Sequence, residues 1–410
     1  MNNTLIILFG STGDLARKKI LPALFELYKK KQLINTPILC VGRRQITKDQ
    51  FIEHADLLKL KEYSQDAYSI FISNLFYQTA NLDEEHPASL HSQILKLDKE
   101  YQCQNNKIIY LATSSDLFIP TIDLMNRTHT LNDKSIFAFE KPFAHDLKSA
   151  KKLEKDILKR VKKTNLYLVD HYLGKPLVHS LPQIMNLPEI KKPIKKHNIE
   201  RIRIELVEDG GIENRGEYYD KSGAIRDMIQ SHALQILSLL FAGTQNSNKK
   251  AKIINSIKTP RAKDIVIGQY QNYLNEPNVS KNSKTETFIS FKTSIRVKGK
   301  KIQISIKTGK ALEKKSSDIY IALKNKSIIQ IHIGPHAQDI YINSSPINID
   351  IDKSDGYENI FLGLMNQDHS RFVSLPEIQA SWKFTDKLIK NAKQTKLKIY
   401  AQGSEGPKEA

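Results

Sequence analysis

Residues 4–42 read TLIILFGSTGDLARKKILPALFELYKKKQLINTPILCVG, and this stretch decides the fold of the first part of the chain. An apolar run from Thr4 to Phe9 meets a turn bounded by glycines. Leu15, Ile20, Leu24, Leu27 and Tyr28 follow at helical spacing, and a second apolar run, Ile38 to Val41, completes a βαβ unit. In such a unit the first turn aims backbone N–H groups and the positive end of the helix at a pyrophosphate, and glycine lets the ligand come close. Gly10 and Gly13 have that role open to them. The order G-S-T-G-D-L-A meets the generic G-x-G-x-x-G pattern only in part, so a plain strand-to-helix turn is the alternative reading. At the end of the second strand, where an NAD site carries an acidic residue for the ribose 2′-hydroxyl, the chain has Arg43 and Arg44. Two guanidiniums suit a 2′-phosphate, so NADP is the expected coenzyme, with Thr12 and Arg44 as contacts, NAD as the alternative, and solvation as the plain reading of either arginine.

Further apolar runs at Lys107 to Ala112, Ser135 to Phe139 and Leu166 to Val169 have helix-like segments between them, which implies a parallel, doubly wound α/β sheet. After about residue 175 the texture changes. The stretches 199–209, 286–297, 300–309, 317–324 and 328–334 alternate apolar and polar residues with little helix between, the pattern of a large, mainly antiparallel sheet. Two helical stretches interrupt it, Ser222 to Leu240 and about Tyr357 to Ala392. The expected organisation is a dinucleotide-binding domain at 1–173 and a substrate-binding and oligomerisation β+α domain at 174–410.

Composition agrees with two globular domains: 410 residues, 40% hydrophobic and 26% charged, without repeats. No early apolar run is long enough to span a bilayer and no basic region precedes one, so a cytoplasmic protein without a membrane partner is expected. Cys40 and Cys103 have no metal-site or disulfide spacing and read as buried thiols. The net charge of +19 would suit nucleic acid, an anionic surface or phosphorylated small molecules. Much of the excess is scattered lysine without interleaved aromatics, so a solvated surface is favoured over nucleic acid.

Two clusters carry chemistry. In YYDKSGAIRDMIQSHALQILSLL, His232 falls within an apolar helical stripe formed by Ile225, Met228, Ile229, Ala233 and Ile236, where a core histidine is the ordinary reading. Asp227, Glu208, Glu213, Arg215, Tyr218 and Tyr219 crowd its approach, and there His232 could act as general base for an alcohol if a carboxylate fixes its tautomer. The second cluster, VDHYLGK, follows a strand end, the place where open α/β sheets bind ligands. It offers Asp170 as the carboxylate, and His171, Tyr172 and Lys175 as donors to a phosphate. Lys141, in Glu140-Lys141-Pro142, also follows a strand; a structural lysine beside a cis-proline is its alternative reading.

With these residues in place, the whole chain resembles the glucose-6-phosphate dehydrogenase family. The resemblance is carried in order by FGSTGDLARKK, FEKPFAHDL, VDHYLGK, RGEYYDKSGAIRDMIQSHALQIL, IKTGKAL and YENIFLGLMNQDHSRFVSLPEIQASWKFTDKLI. It implies that His232 takes the proton of the C1 hydroxyl of glucose 6-phosphate, and that Asp170 holds and balances His232. Lys141 would bridge sugar and coenzyme, with Lys19 nearby. Glu208 and Asp227 would bind sugar hydroxyls, and His171, Tyr172, Lys175 and Lys310 the 6-phosphate. The turn through Gly10, Ser11, Thr12, Gly13, Asp14 and Leu15, with Arg43 and Arg44, would hold NADP. A homodimer or homotetramer and no metal are implied. Ala144 stands where the family usually has Gly, and Pro176 where it usually has Glu. The runner-up reading is a sugar oxidoreductase of the glucose–fructose oxidoreductase type, which would not need the phosphate ligands. A non-catalytic NADP- or nucleic-acid-binding protein is the third.

Overall fold

The computed structural model describes residues 3–297, 299–334, 338–349 and 354–408. Contacts divide the chain into two units, one formed by Met1–Ala144, Lys151–Gly174 and Ser354–Ser374, the other by His145–Ala150, Lys175–Lys353 and Leu375–Ala410. A single cut near residue 174 does not express this division, because 354–374 returns to the first unit.

The first unit is built on six strands: β1 (Leu5–Phe9), β2 (Ile38–Gly42), β3 (Leu75–Thr79), β4 (Lys107–Leu111), β5 (Ser135–Phe139) and β6 (Leu166–Leu168). They run parallel in the order β3-β2-β1-β4-β5-β6, the doubly wound dinucleotide-binding arrangement. A parallel sheet covered on both faces needs apolar residues on both, and every residue of β1, β4 and β5 is buried. The edge strand β3, LFYQT, has only its first residue buried and carries no continuous apolar run. Cys40 and Cys103 are buried free thiols. The helix Gly356–Met365, started by a capping box between Asp355 and Glu358, places Tyr357, Ile360, Phe361 and Leu364 in the same core as β1 and the helix Leu21–Lys29.

The second unit holds nine strands: β7 (Ile199–Val207), β8 (Ile265–Tyr270), β9 (Phe288–Val297), β10 (Lys300–Gly309), β11 (Ser316–Leu323), β12 (Ile328–Ile333), β13 (Gln338–Ile342), β14 (Ser345–Ile347) and β15 (Leu397–Tyr400). Their order is β14-β13-β12-β11-β7-β10-β9-β8-β15. The β7/β10 and β8/β15 pairs are parallel and the others antiparallel. Alternation puts Ile202, Ile204, Ile304 and Ile306 into the core, while Arg201, Arg203, Lys301 and Lys307 line a groove on the opposite face.

The stretch expected as one helix from Ser222 is three pieces: Gly216–Ala224, a π-wound run Ile225–Ala233, and Leu234–Ala242. Gly223 sits between the first two at φ +66°, where an added Cβ would lie 2.4 Å from a Glu286 carboxylate oxygen. That carboxylate accepts the Ile225 N–H at 3.1 Å and so restarts the helix. The tail helix is likewise split into Gly356–Met365 and Leu375–Ala392.

Candidate active site

The glycine turn of the first unit is fixed by backbone demands. Gly10 has φ +75°, and a Cβ there would come within 2.5 Å of the Ala112 carbonyl oxygen. The Gly13 N–H donates to the Gly10 carbonyl at 3.0 Å. Ser11 is buried, and its hydroxyl and N–H both donate to the Val41 carbonyl, at 3.0 and 3.3 Å. Its side chain therefore braces the turn against β2, and Leu15 packs against the apolar core. Thr12 is half-exposed, and Gly13 and Asp14 are exposed. Asp14 pairs with Arg17 at 3.2 Å and Lys18 at 3.5 Å in the first turn, where a carboxylate meets the positive end of the helix. Lys19 lies exposed on the following π-wound turn Ala16–Ile20.

Arg43 and Arg44 extend past the end of β2 and are exposed. The Arg44 carbonyl accepts hydrogen bonds from Tyr77 Oη at 2.7 Å and Thr79 Oγ1 at 2.9 Å, both on β3. Its guanidinium meets His54 Nδ1 at 3.2 Å, and His54 Nε2 meets the Thr12 carbonyl at 3.1 Å. Sequence reasoning missed His54, Tyr77 and Thr79, because the strand that carries two of them has no periodic signal. The donor set, two guanidiniums beside an exposed helix N-terminus and no acid at the end of β2, fits a dinucleotide with a 2′-phosphate.

A second group in this unit surrounds a buried acid. The Lys141–Pro142 peptide is cis, as one reading of the sequence anticipated, and Lys141 is half-exposed. Glu140 beside it is buried and accepts the Tyr110 hydroxyl at 2.5 Å and that of Tyr357. Burial pushes its carboxyl up to about 7, against the opposing pull of these hydrogen bonds and of the Lys141 charge. Burial and then the Glu140 charge push Tyr110 and Tyr357 well above the usual phenol range. Asp170 is buried, and its Oδ1 accepts the Tyr172 N–H at 3.0 Å at the start of the short helix His171–Gly174. His171 stacks on Tyr357 with centroids 5.6 Å apart and planes 5° apart, and meets Tyr172 edge-on at 5.1 Å. Asn359 donates to the Gly174 carbonyl at 2.9 Å. An added Cβ on Gly174 would lie 2.0 Å from the Gly356 carbonyl oxygen, so the returning helix braces this loop at close range. The sequence reading gave Tyr357 and Asn359 no role, although both lie in a stretch that carries the resemblance.

In the second unit, strand register explains another pair. Val207 on β7 aligns with Gly309 on the parallel strand β10, and the next residues, Glu208 and then Lys310, emerge together. Their side chains form an ion pair, and the Lys310 ammonium lies 5.4 Å from the Tyr219 ring centroid. His232 and Asp227 are both buried on the π-wound run, and Asp227 accepts the Tyr218 hydroxyl at 3.4 Å. Lys175 donates to the Ile333 carbonyl at 3.3 Å. Pro176 occupies the first position of the helix Pro176–His179, where the missing N–H costs no helical hydrogen bond.

The family model for the glucose-6-phosphate dehydrogenase NAD binding domain matches residues 7–180, and that for the C-terminal domain matches 189–354 and 336–410. The chain belongs to the glucose-6-phosphate dehydrogenase family. As a member it is an enzyme, an oxidoreductase with a nicotinamide coenzyme. Among its relatives, glucose-6-phosphate 1-dehydrogenase of Bacillus subtilis is 30% identical over 99% of this chain and 95% of its own length. That of Helicobacter pylori is 27% identical, over 97% and 96%. A solved glucose-6-phosphate dehydrogenase in complex with its substrate superposes with a TM-score of 0.86 at 26% identity, covering 99% of this chain and 96% of that one. An oxidoreductase of Thermotoga maritima, at TM-score 0.58 and 16% identity, shares the fold alone, covering 96% of this chain and 97% of that one. The free-sugar reading is not favoured. Among the described residues no helix is long and apolar enough to cross a membrane.

Proposed function

We propose that this chain oxidises glucose 6-phosphate at C1 to 6-phosphogluconolactone and reduces NADP. The observation that carries the reading is that His232 and Asp170, 1% and 2% exposed, are buried ionisable groups in the two motifs most specific to the family. Burying such groups is costly unless chemistry or pairing uses them.

His232 acts as the base that takes the proton from the C1 hydroxyl, and Asp170 supplies the carboxylate that fixes its tautomer and balances its charged form. When bound, the nicotinamide supplies the hydride acceptor for C1. Loss of one hydride and one proton leaves the C1–O1 double bond of the lactone, so atoms and electrons balance. Glu208 and Asp227 accept from the sugar hydroxyls. His171, Tyr172, Lys175 and Lys310 hold the 6-phosphate, Lys310 exchanging Glu208 for the dianion. A phosphate anchored several atoms from C1 supplies binding energy that orients the reacting carbon. Lys141 contacts sugar and coenzyme, with Lys19 beside it, and the turn Gly10–Leu15 with Arg43 and Arg44 binds NADP in preference to NAD. Residues 1–173 then serve coenzyme binding and 174–410, apart from the segment 354–374 that joins the first unit, substrate binding and self-association, as a cytoplasmic homodimer or homotetramer.

His232→Asn keeps a polar side chain of smaller volume but cannot take the proton. Substrate binding, measured calorimetrically, should stay close to that of the parent, while kcat falls by about two to four orders of magnitude. Turnover near the parent value would remove His232 from the chemistry.

A further inference from the structure

His54 ends the helix Lys48–His54, whose start is fixed by a capping box between Thr47 and Gln50. Its half-buried ring spans two groups of opposite character. Arg44 Nη1, which can only donate, lies 3.2 Å from Nδ1, and the Thr12 carbonyl, which can only accept, lies 3.1 Å from Nε2. One species satisfies both: neutral imidazole with its proton on Nε2 and its lone pair on Nδ1. The Arg44 carbonyl is held separately by Tyr77 and Thr79 at 2.7 and 2.9 Å. Gly42 keeps this crossing clear, since a Cβ there would stand 2.8 Å from the Tyr77 hydroxyl. Both backbone and side chain of Arg44 are thereby fixed at an exposed position where arginine would otherwise sample many rotamers. A single N–H of Nη1 is engaged by His54, and guanidinium donors remain for a ligand.

We propose that His54 is a positioning residue for coenzyme selection: it pre-orients the Arg44 guanidinium and ties it to the glycine turn through Thr12, so that the 2′-phosphate of NADP meets a donor already in place. This rests on the reading of Arg44 as the 2′-phosphate ligand. Pre-orientation reduces the ordering cost of binding, and NAD, which has no 2′-phosphate, gains little from it.

The test is a set of dissociation constants for NADP, NAD and 2′,5′-ADP with the full chain, read by calorimetry. His54→Ala should weaken NADP and 2′,5′-ADP by about 3–10-fold, the range set by ordering one long side chain, and leave NAD within about twofold. Asn at this position puts its carbonyl oxygen where Nδ1 stands and should restore most of the loss. Gln, whose amide reaches the Nε2 position, should not. Arg44→Ala should lower NADP affinity more than NAD affinity, and His54→Ala added to it should cost NADP nothing further. If Arg44→Ala shifts the NADP-to-NAD ratio and His54→Ala does not, the positioning role is wrong and the arginine reading stands. Equal weakening of both coenzymes by His54→Ala would make the residue merely structural. If Arg44→Ala leaves the ratio unchanged, the arginine reading fails and the positioning role with it.

Discussion

Ala144, where the resemblance leads one to expect Gly, has φ +71° at a buried position, a left-handed conformation that costs a residue with a Cβ about 1–2 kcal/mol. Gly would relieve that strain, give up the burial of one methyl, worth about 0.8 kcal/mol, and loosen the unfolded chain by about 0.5–1 kcal/mol. The terms nearly cancel, so Ala144→Gly should change stability by less than about 1 kcal/mol in denaturant unfolding. Ala144→Val should cost at least about 2 kcal/mol, since branching at Cβ is worst tolerated at positive φ. A Val variant as stable as the parent would contradict this. The substitution itself is legible in the sequence; the φ angle that gives it a consequence is not. The same holds for His54 and Tyr357. Their partners are 10 to 42 positions away for His54 and more than 180 away for Tyr357, and no local spacing brings such residues together.

Elements with long apolar or alternating runs were read correctly, because a period of two or a continuous run needs only the chain itself. The strands β5 and β10 match their expected spans, and β1, β2 and β4 differ from theirs by one residue. β3, β8, β13, β14 and β15 were not anticipated; four of them are three to five residues long and polar-rich or at sheet margins, while β8, a buried IVIGQY run of six, is short enough to pass for part of a helix or loop. The Gly223 break was hidden because it lies just before the apolar stripe begins at Ile225, and the Glu286 carboxylate packed against it comes from 63 positions on. At this scale the helices Ser247–Ser256 and Leu375–Ala392 are joined by a buried ion pair, Lys250 to Glu377 at 2.7 Å, with side chains 1% and 0% exposed. Removing Lys250 takes the ammonium away from a buried carboxylate. Lys250→Met should therefore cost about 3–5 kcal/mol, and adding Glu377→Leu should recover most of it. A single variant within about 1 kcal/mol of the parent would mean that the carboxylate is relieved by another route.

For the whole molecule, the two fold classes were legible from the switch in texture near residue 175, but the return of 354–374 to the first unit was not. A capped helix buried on nearly every side carries no label for the core it joins; Tyr357, Ile360 and Phe361 would suit any apolar surface. The proposed roles fall on residues of both units, so activity reports on the molecule as no variant of a single element can. Its net charge of +19 bears on solubility and on the approach of anionic ligands; it does not set the fold. The most direct measurement is the rate of coenzyme reduction by the purified full chain, followed by near-ultraviolet absorbance, with glucose 6-phosphate or free glucose and with NADP or NAD. The roles assigned to His232, Arg44 and the phosphate ligands predict rapid reduction of NADP with glucose 6-phosphate, slower reduction of NAD, and a large loss with free glucose, a pattern that fixes the assignment. No reduction from a folded sample, or equal rates with and without the 6-phosphate, would contradict it.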